Sequence, residues 1–435
     1  MSTDINFLDA KSAAFFASYN FDICGPSIDA SSQALYYDLH AGLEIQRDEY
    51  TQEMLPTWIL AQKPCDKQVI VLDAGGTNFR SYLIEIKNGA AKILKEKKEK
   101  LPALEQHCNA EEFFALLGEK IAYLKDQADT IHFCFAYALE MTPEKDARVL
   151  RMSKEVLVEG IVGKLVGASL FAALKKQGWK KLQKVSVIND TAAALLSGLS
   201  LNKNFSSHIG MILGTGFNIA YEEAGHIEKL APEQELLKQI VVCETAKTNK
   251  IAASDFDREL QKMTSDKTLC KFEKMCSGAY LGDLISIAVK HACTDGIFSK
   301  QFSAKFACAN FNFQAINEFL KSNAPPENEV VRLIKNAAAS ETDIYFLKQI
   351  ARQMINRTAR IVTAALTAVA LKTKAGSDPH KPLCIVAEGT TFAKADGLKD
   401  TVLRLLEENL RKKHGIHFEL YEIPNAVAIG SAFLS

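Results

Sequence analysis

VIVLDAGGTNFRSYLIEI, residues 69–86, is the stretch from which the fold is predicted. It is typical of an apolar strand that ends at Asp73, a tight turn at Gly75 and Gly76, and a second, alternating strand. Adjacent glycines admit backbone conformations that other residues avoid, and they leave backbone N–H groups open to an anion such as phosphate. An acid beside such a turn suits Mg²⁺, which takes few carboxylates and keeps much of its water. The alternative interpretation is an ordinary β-hairpin turn.

A second stretch repeats this design. HIGMILGTGFNIAYEE, residues 208–223, has an apolar strand, a turn at Gly214, Thr215 and Gly216, then Asn218 and a further strand. Two hairpins that can each bind phosphate predict a duplicated architecture that holds a polyphosphate from both sides of a cleft.

Size and charge restrict the class of protein. A chain of 435 residues is too long for one core and should form about two domains. Lys plus Arg and Asp plus Glu both total 52, so no net field recruits nucleic acid or an anionic membrane. The start lacks the features of a signal peptide, and no stretch approaches about 18 uninterrupted apolar residues. We therefore expect a soluble, cytoplasmic protein without nucleic-acid or membrane partners.

The ten cysteines are scattered, with no CxxC pair, and lie mostly in apolar runs. This pattern predicts free, packed thiols in a reducing compartment and argues against a zinc site.

Secondary structure was predicted from apolar spacing and from turn residues. The expected elements are helices within 1–65; strands over 68–73, 79–86 and 91–98; a helix near 110–126; a strand over 131–137; a helix over 160–178; the strand KVSVIND, which ends at Asn189 and Asp190; a long helix over 342–374; a strand over 383–389; a strand near 416–422; and a last helix, AVAIGSAFL. The lysine run at 95–100 is interpreted as a solvated strand end. Because functional side chains gather at the carboxyl ends of parallel strands, Asn189 and Asp190 are candidate site residues.

Five motifs in order resemble those of one family. They are DAGGTNFR (first phosphate loop), SVINDTAAALLSG (connecting motif), LGTGFNIAYEE (second phosphate loop), FEKMCSGAYLGDLI (a glutamate motif) and VAEGTTFAK (adenosine segment). On these motifs the chain resembles the hexokinases, within the actin-like sugar kinases and ATPases.

The resemblance implies an α/β fold with two lobes, the actin-like ATPase (ribonuclease H-like) fold, with the active site in the cleft between the domains. By the same resemblance the small lobe spans 66–189 and is completed by 426–435, whereas the large lobe comprises 1–65 and 190–425.

The activity implied is ATP- and Mg²⁺-dependent phosphorylation of the terminal (6-) hydroxyl of a hexose, glucose or a related sugar. Asp190 would be the general base and Lys154 would stabilise developing charge. From the residues alone, Asp190 could equally be a helix N-cap, and Lys154 a surface charge. The sugar would be bound by Ser153, Lys154, Asn189, Asp190, Asn218, Glu244 and Glu273.

The nucleotide would be bound by residues of both phosphate loops and of the adenosine segment. They are Asp73, Gly75, Gly76, Thr77, Asn78, Arg80, Gly214, Thr215, Gly216, Gly389 and Thr390, with Asp73 also the candidate Mg²⁺ ligand.

Several neutral sugar-recognition groups of the family are changed in this chain. Ala136 stands where the family has a sugar-binding serine, Cys270 stands in place of a glutamine, and residues 245–250 read TAKTNK instead of WGAFGD. Glu388 stands where an aspartate is usual, which we interpret as a mild change. Two alternatives therefore stay open beside the hexokinase: a hexokinase-like sugar- or nucleotide-binding regulator with weak or no catalysis, and an actin-like kinase for another small alcohol. The preferred hexose and the oligomeric state are also left open.

Overall fold

The computed structural model describes residues 2–22, 25–45, 48–75, 78–152, 157–234, 236–264, 267, 269–307, 309–321 and 324–434. Over these residues the chain forms sixteen α-helices and thirteen strands.

The strands are numbered in chain order. They are β1 (Leu55–Pro56), β2 (Lys67–Gly75), β3 (Asn78–Lys87), β4 (Ala90–Lys100), β5 (Thr130–Phe135), β6 (Ala138–Met141), β7 (Ala147–Arg151), β8 (Lys184–Ile188), β9 (Ser207–Leu213), β10 (Phe217–Glu223), β11 (Gln239–Val242), β12 (Leu383–Glu388) and β13 (Phe418–Tyr421).

The α-helices are numbered in the same way. They are α1 (Ser2–Ser18), α2 (Ile28–Ala41), α3 (Pro102–Glu105), α4 (Ala110–Lys120), α5 (Val166–Lys176), α6 (Asp190–Ser197), α7 (Asp255–Met263), α8 (Lys271–Lys274), α9 (Gly278–Thr294), α10 (Lys300–Phe306), α11 (Phe313–Leu320), α12 (Glu329–Asn336), α13 (Glu341–Thr373), α14 (Thr390–Lys394), α15 (Leu398–Leu406) and α16 (Ala426–Ala432). Short 3₁₀ segments span Ala122–Leu124, Gly198–Leu201, Pro232–Gln234 and Thr245–Lys247, and a π-helical segment spans Glu407–Lys413.

Two main sheets share one topology. The first sheet has the order β4-β3-β2-β5-β8, and the second has the order β1-β11-β10-β9-β12-β13. In each, three antiparallel strands are followed by two parallel ones: β2 pairs with β5 and β5 with β8, as β9 pairs with β12 and β12 with β13. The duplicated architecture predicted from the two hairpins is therefore confirmed, with β1 as an extra edge strand on the second sheet.

Helices α6 and α16 pack in the core between the two sheets. This core joins Val69 and Val71 of the first sheet, Ala220 of the second, Ala192 of α6 and Ala428 of α16. The small side chains of both helices allow close packing, as the composition of AVAIGSAFL indicates. Because α6 begins at Asp190, the start of this helix lies at the junction of the sheets.

Two further cores cover the outer faces of the sheets. Helices α4 and α5 contribute Phe113 and Leu170 to the core of the first sheet. The 33-residue helix α13 runs across the second sheet, and its buried residues include Ile361 and Leu366. The two-lobed α/β fold is confirmed, whereas the lobe boundaries at 66, 189 and 426 stay predictions.

The predicted elements are mostly confirmed, with two corrections. The helix expected over 160–178 begins only at Val166, because Gly160 and Gly163 have φ of +68° and +84°, which no α-helix contains. The helix expected near 110–126 ends at Lys120 and is followed by the 3₁₀ turn at 122–124.

The lysine run lies on the edge strand β4, with Lys95, Lys97, Lys98 and Lys100 exposed, as expected. The eight cysteines within the described residues are free thiols. Cys24 and Cys308 lie outside those residues. No helix in the described part of the chain is long and apolar enough to cross a membrane.

Candidate active site

The N-terminus of α6 carries the predicted general base. Asn189 is the N-cap, and its side chain accepts hydrogen bonds from the backbone N–H groups of Thr191 (2.8 Å) and Ala192 (3.4 Å). Asp190 occupies the first helical position and accepts from the backbone N–H and the hydroxyl of Thr191, at 2.8 and 3.2 Å. The capping role considered for Asp190 is thus filled by Asn189. Burial raises the pKa of Asp190.

The first hairpin, β2–β3, places Asp73 at the same junction. The register pairs Asp73 with Arg80 and Gly75 with Asn78, and the Arg80 guanidinium lies 3.3 Å from the Asp73 carboxylate. Burial raises the pKa of Asp73 to about 6, although Arg80 opposes the shift; the charge of Asp190 adds to it. Asp73 and Asp190 are therefore near neighbours. Gly76 and Thr77, predicted at the turn, lie outside the described residues.

The second hairpin, β9–β10, is held between the starts of two helices. The carbonyl of Gly214 accepts from the backbone N–H of Gly278 at 2.8 Å and from the Thr391 hydroxyl at 2.9 Å. Gly389 has φ of +117°, and a Cβ on it would lie 2.2 Å from the carbonyl oxygen of Leu213. The segment around Gly389 and the turn of the second hairpin are therefore in direct contact. This close approach and the positive φ allow only glycine at position 389.

A cavity of about 810 Å³ opens beside this contact. It is within the size range of small-molecule sites. Thr215 and Thr390, both predicted nucleotide ligands, line it. Most of its wall comes from residues of α9, α11, α14 and their flanks that were not among the predicted ligands: Gly278, Ala279, Gly282, Asp283, Phe311, Asn312, Phe313, Gln314, Asn317, Glu318, Lys321, Thr391, Lys394 and Ala395.

Glu244 lies two residues beyond the end of β11, directly before the 3₁₀ turn Thr245–Lys247. Its carboxylate accepts a hydrogen bond from the Asn218 amide at 2.8 Å. Burial raises the pKa of Glu244 to about 7 against the effect of the Asn218 hydrogen bond, and the charges of Asp190, Glu273 and Glu53 raise it further. The two predicted sugar ligands Asn218 and Glu244 are therefore in contact with each other, with Asp190 nearby.

Glu273, the second predicted sugar acid, contacts the second hairpin. The backbone N–H of Phe217 donates to its carboxylate at 3.0 Å. A Cβ on Gly216 would lie 2.5 Å from the same carboxylate, so a larger residue here would displace the Glu273 side chain. The second hairpin and Glu273 are thus packed directly together.

Glu388 is another buried acid near Asp190, although its position in the motif indicated only a mild change. It ends β12, and within the described residues its buried Oε2 has no hydrogen-bond partner. Burial raises the pKa of Glu388 to about 7, and the charges of Asp190 and Asp73 add to that effect. The charge of Asp190, which follows β8, therefore acts on two buried carboxylates, Asp73 of β2 and Glu388 at the end of β12.

The predicted ligands Ser153 and Lys154 lie outside the described residues, and their roles stay predictions. Among the residues described, no group of three or more His, Cys, Asp or Glu side chains is arranged to enclose a metal ion. Mg²⁺ is usually held by one or two carboxylates together with water and substrate phosphates. Asp73, in the first hairpin, stays the predicted Mg²⁺ ligand.

Comparison with known proteins shows the family to which the chain belongs. Two family models, both described as hexokinase, match residues 17–199 and 208–435. The chain belongs to the hexokinase family. This hexokinase-family protein is 24% identical over 409 residues to Hexokinase-1 of Schizosaccharomyces pombe, covering 88% of the chain and 82% of the relative. It is 22% identical over 436 residues to the Hexokinase-like 1 protein of Arabidopsis thaliana, covering 94% and 88%.

A solved structure of the family shares the fold. The hexokinase from Schistosoma mansoni complexed with glucose superposes with a TM-score of 0.78 over 98% of this chain and 99% of that one, at 18% identity. At this identity the likeness shows the fold, and the expected actin-like architecture is confirmed.

Proposed function

We propose that this hexokinase-family protein transfers the terminal phosphoryl group of ATP to the terminal (6-) hydroxyl of a hexose, glucose or a related sugar. The observation that carries the proposal is the position of Asp190. Its charge acts both on Asp73 of the first phosphate hairpin and on Glu244 beside Asn218. A carboxylate between a phosphate site and a sugar site is where a base for this transfer must lie.

Asp190 takes the proton of the sugar hydroxyl as that oxygen attacks the phosphoryl group. Burial raises the pKa of Asp190, which strengthens it as a base. The bonds from Thr191 hold one carboxylate oxygen in place. Asn218, Glu244 and Glu273 orient the sugar, since ionised carboxylates accept hydrogen bonds from its hydroxyl groups.

The two hairpins and the cavity hold the nucleotide. Thr215 at the tip of the second hairpin is exposed and lines the cavity of about 810 Å³, where the adenosine would lie against Gly389 and Thr390. Asn78 and Arg80 support the first hairpin. Mg²⁺ held by Asp73 would neutralise phosphate charge, which dominates catalysis of a loose, charge-spread transition state. Lys154 would add a further cation, and closure of the lobes would exclude water.

One observation favours a second candidate, a sugar- or nucleotide-binding regulator with weak or no kinase activity. Ala136, at the end of β5, lies beside Gly75 and offers no hydroxyl where the family has a serine. A site that has lost hydrogen-bonding groups for its substrate binds it less selectively. The Hexokinase-like 1 protein of Arabidopsis thaliana, one of the similar proteins, carries a name that fits such a divergent relative.

The experiment that separates the two measures ADP release from Mg-ATP with glucose, mannose, fructose and glucosamine. Asp190→Ala is compared with Asp255→Ala, since both aspartates stand at the first position of a helix and only Asp190 faces the site. Turnover that needs a sugar, is lost in Asp190→Ala and is kept in Asp255→Ala supports the kinase. Thermal stabilisation by a sugar or by nucleotide, without turnover on any sugar, favours the regulator.

A further inference from the structure

The segment before β1 brings a second acid against Glu244. The backbone N–H of Met54 donates to the carbonyl of Cys243 at 3.2 Å, and this bond joins the peptide group between residues 53 and 54 to the one between 243 and 244. It continues the pairing of Leu55 with Val242. Glu53 and Glu244 are thereby held as neighbours, and the charge of Glu53 raises the pKa of Glu244. A like charge close to a carboxylate disfavours its ionised form.

The position of Glu53 is firmly fixed. The ammonium group of Lys229 donates to the carbonyls of Gly42, Glu53 and Met54, at 2.8, 2.6 and 2.6 Å. The segment therefore cannot swing Glu53 away from Glu244 without breaking these bonds.

Lys247 supplies the compensating charge. Its ammonium group lies 2.5 Å from the Glu53 carboxylate, and both side chains are only about 30% exposed. Its backbone N–H donates to the carbonyl of Glu244 at 3.3 Å, because the 3₁₀ turn Thr245–Lys247 begins there. Lys247 belongs to the TAKTNK segment, where the family pattern has WGAFGD, so that pattern does not predict this pair.

We propose that the Glu53–Lys247 ion pair is a positioning device that keeps the sugar-binding carboxylate of Glu244 ionised when the hexose enters. The inference rests on the proposed function. The described groups that act on Glu244 are the acids Glu53, Asp190 and Glu273 and the neutral amide of Asn218. Of these three acids Glu53 has the smallest effect on Glu244, and the ammonium group of Lys247 offsets its charge, which favours the ionised form of Glu244 that accepts hydrogen bonds from sugar hydroxyl groups.

The test compares Lys247→Met with Lys250→Met. Lys250 lies in the same segment, but its nearest acid is the exposed Asp48. Lys247→Met is expected to raise the hexose KM about two- to fivefold at neutral pH, with kcat little changed, and to move the acidic limb of the kcat/KM profile about half a pH unit higher. Lys250→Met should leave both unchanged.

Glu53→Gln provides the opposite arm. It removes the like charge and should move the same limb to lower pH, and the double variant Glu53→Gln/Lys247→Met should return close to the wild-type profile. Thermal unfolding of each variant checks that the fold is kept. A purely structural ion pair would instead lower activity equally at all pH values, without recovery in the double variant, and that result would overturn the proposal.

Hexose affinity measured by calorimetry across the same pH range gives an independent readout. Absence of turnover in the wild type would contradict the proposed kinase function and would still leave the ion pair tested by binding. Normal wild-type turnover together with identical pH profiles for Lys247→Met and Lys250→Met would contradict the ion pair alone.

Discussion

The backbone N–H of Phe217 donates a hydrogen bond to the carboxylate of Glu273 at 3.0 Å. Phe217 begins β10, directly after the turn that is proposed to hold phosphate, whereas Glu273 is proposed to hold the sugar. The two substrates would therefore share one structural unit. A substitution that disturbs the hairpin should therefore weaken binding of the sugar.

Gly216→Ala should weaken sugar binding. The backbone at Gly216 tolerates alanine, but the new Cβ would lie 2.5 Å from the Glu273 carboxylate and displace it. Loss of a hydrogen bond to a charged group predicts a rise in hexose KM of about tenfold. Gly225→Ala is the matched control, since its Cβ would abut the carboxylate of Glu223, which pairs with Lys372 instead. Equal KM values for the two variants would contradict the coupling.

Glu244→Gln should stabilise the protein without ligand at alkaline pH. The pKa of Glu244 is raised to about 7 by burial, so the folded state binds this proton more tightly than the unfolded state. The associated stability is present at pH values below the ordinary glutamate range and is lost as the pH rises through about 7. At pH 8 the variant should have a free energy of unfolding higher than that of the wild type by on the order of 1 kcal/mol, and therefore a higher melting temperature. The difference should vanish near pH 5.

Glu233→Gln, at an exposed position, serves as the control for this comparison. Hexose should raise the melting temperature of the wild type and of the control. It should raise the melting temperature of Glu244→Gln much less. A Glu244→Gln variant that melts at a lower temperature than the wild type at pH 8 would show that the ionised carboxylate does not destabilise the folded protein.

Asp73→Asn should impair the use of Mg-ATP. The substitution removes the carboxylate that is proposed to hold Mg²⁺ and leaves Arg80 without its ion-pair partner. The Mg²⁺ concentration for half-maximal rate should rise and kcat should fall by at least about tenfold. Asp66→Asn is the control, because Asp66 precedes the opposite end of β2 and binds the backbone of Asn88. Unchanged Mg²⁺ dependence would exclude Asp73 as the ligand.

Ala136→Ser should improve sugar binding. The alanine backbone N–H donates to the carbonyl of Ala74 at 3.1 Å, so its position beside Gly75 is fixed and partly exposed. A hydroxyl there restores one hydrogen bond to the sugar, for which we expect hexose KM to fall by about two- to tenfold. The KM for ATP should not change, which provides the internal control. No gain with any hexose would indicate that the acceptor does not reach this position.

The duplicated sheets and the position of Asp190 could be predicted from local sequence, because each rests on a compact motif, whereas the two-lobed fold was implied by the resemblance of five motifs to one family. Two glycine-containing hairpins indicated the duplicated sheets, and the strand KVSVIND followed by a helix placed Asn189 and Asp190 at the junction. The start of α5 could not be read from its apolar spacing, since Gly160 and Gly163 prevent helix formation in a stretch whose pattern is otherwise helical.

The remaining site residues depend on contacts between distant parts of the chain. Asn317 and Lys321 line the cavity that is proposed to hold the nucleotide, and no local pattern connects them with Thr215. The sequence presents Glu388 as a minor replacement for an aspartate, whereas in the structure β12 places it near Asp73 and Asp190. Glu53 precedes a strand of two residues, too short to be recognised, and yet that pairing sets it against Glu244. An acidic residue beside a two-residue strand gives no signal of its own.

The most direct measurement of the central claim is the identity of the product. Purified protein is incubated with Mg-ATP and uniformly ¹³C-labelled glucose, and the reaction is followed by ³¹P and ¹³C NMR, with Asp190→Ala in parallel. We predict a phosphate monoester on the terminal carbon of the sugar, formed in step with ADP by the wild type and absent with the variant. Inorganic phosphate without a sugar ester, or the same ester formed equally by Asp190→Ala, would contradict the account.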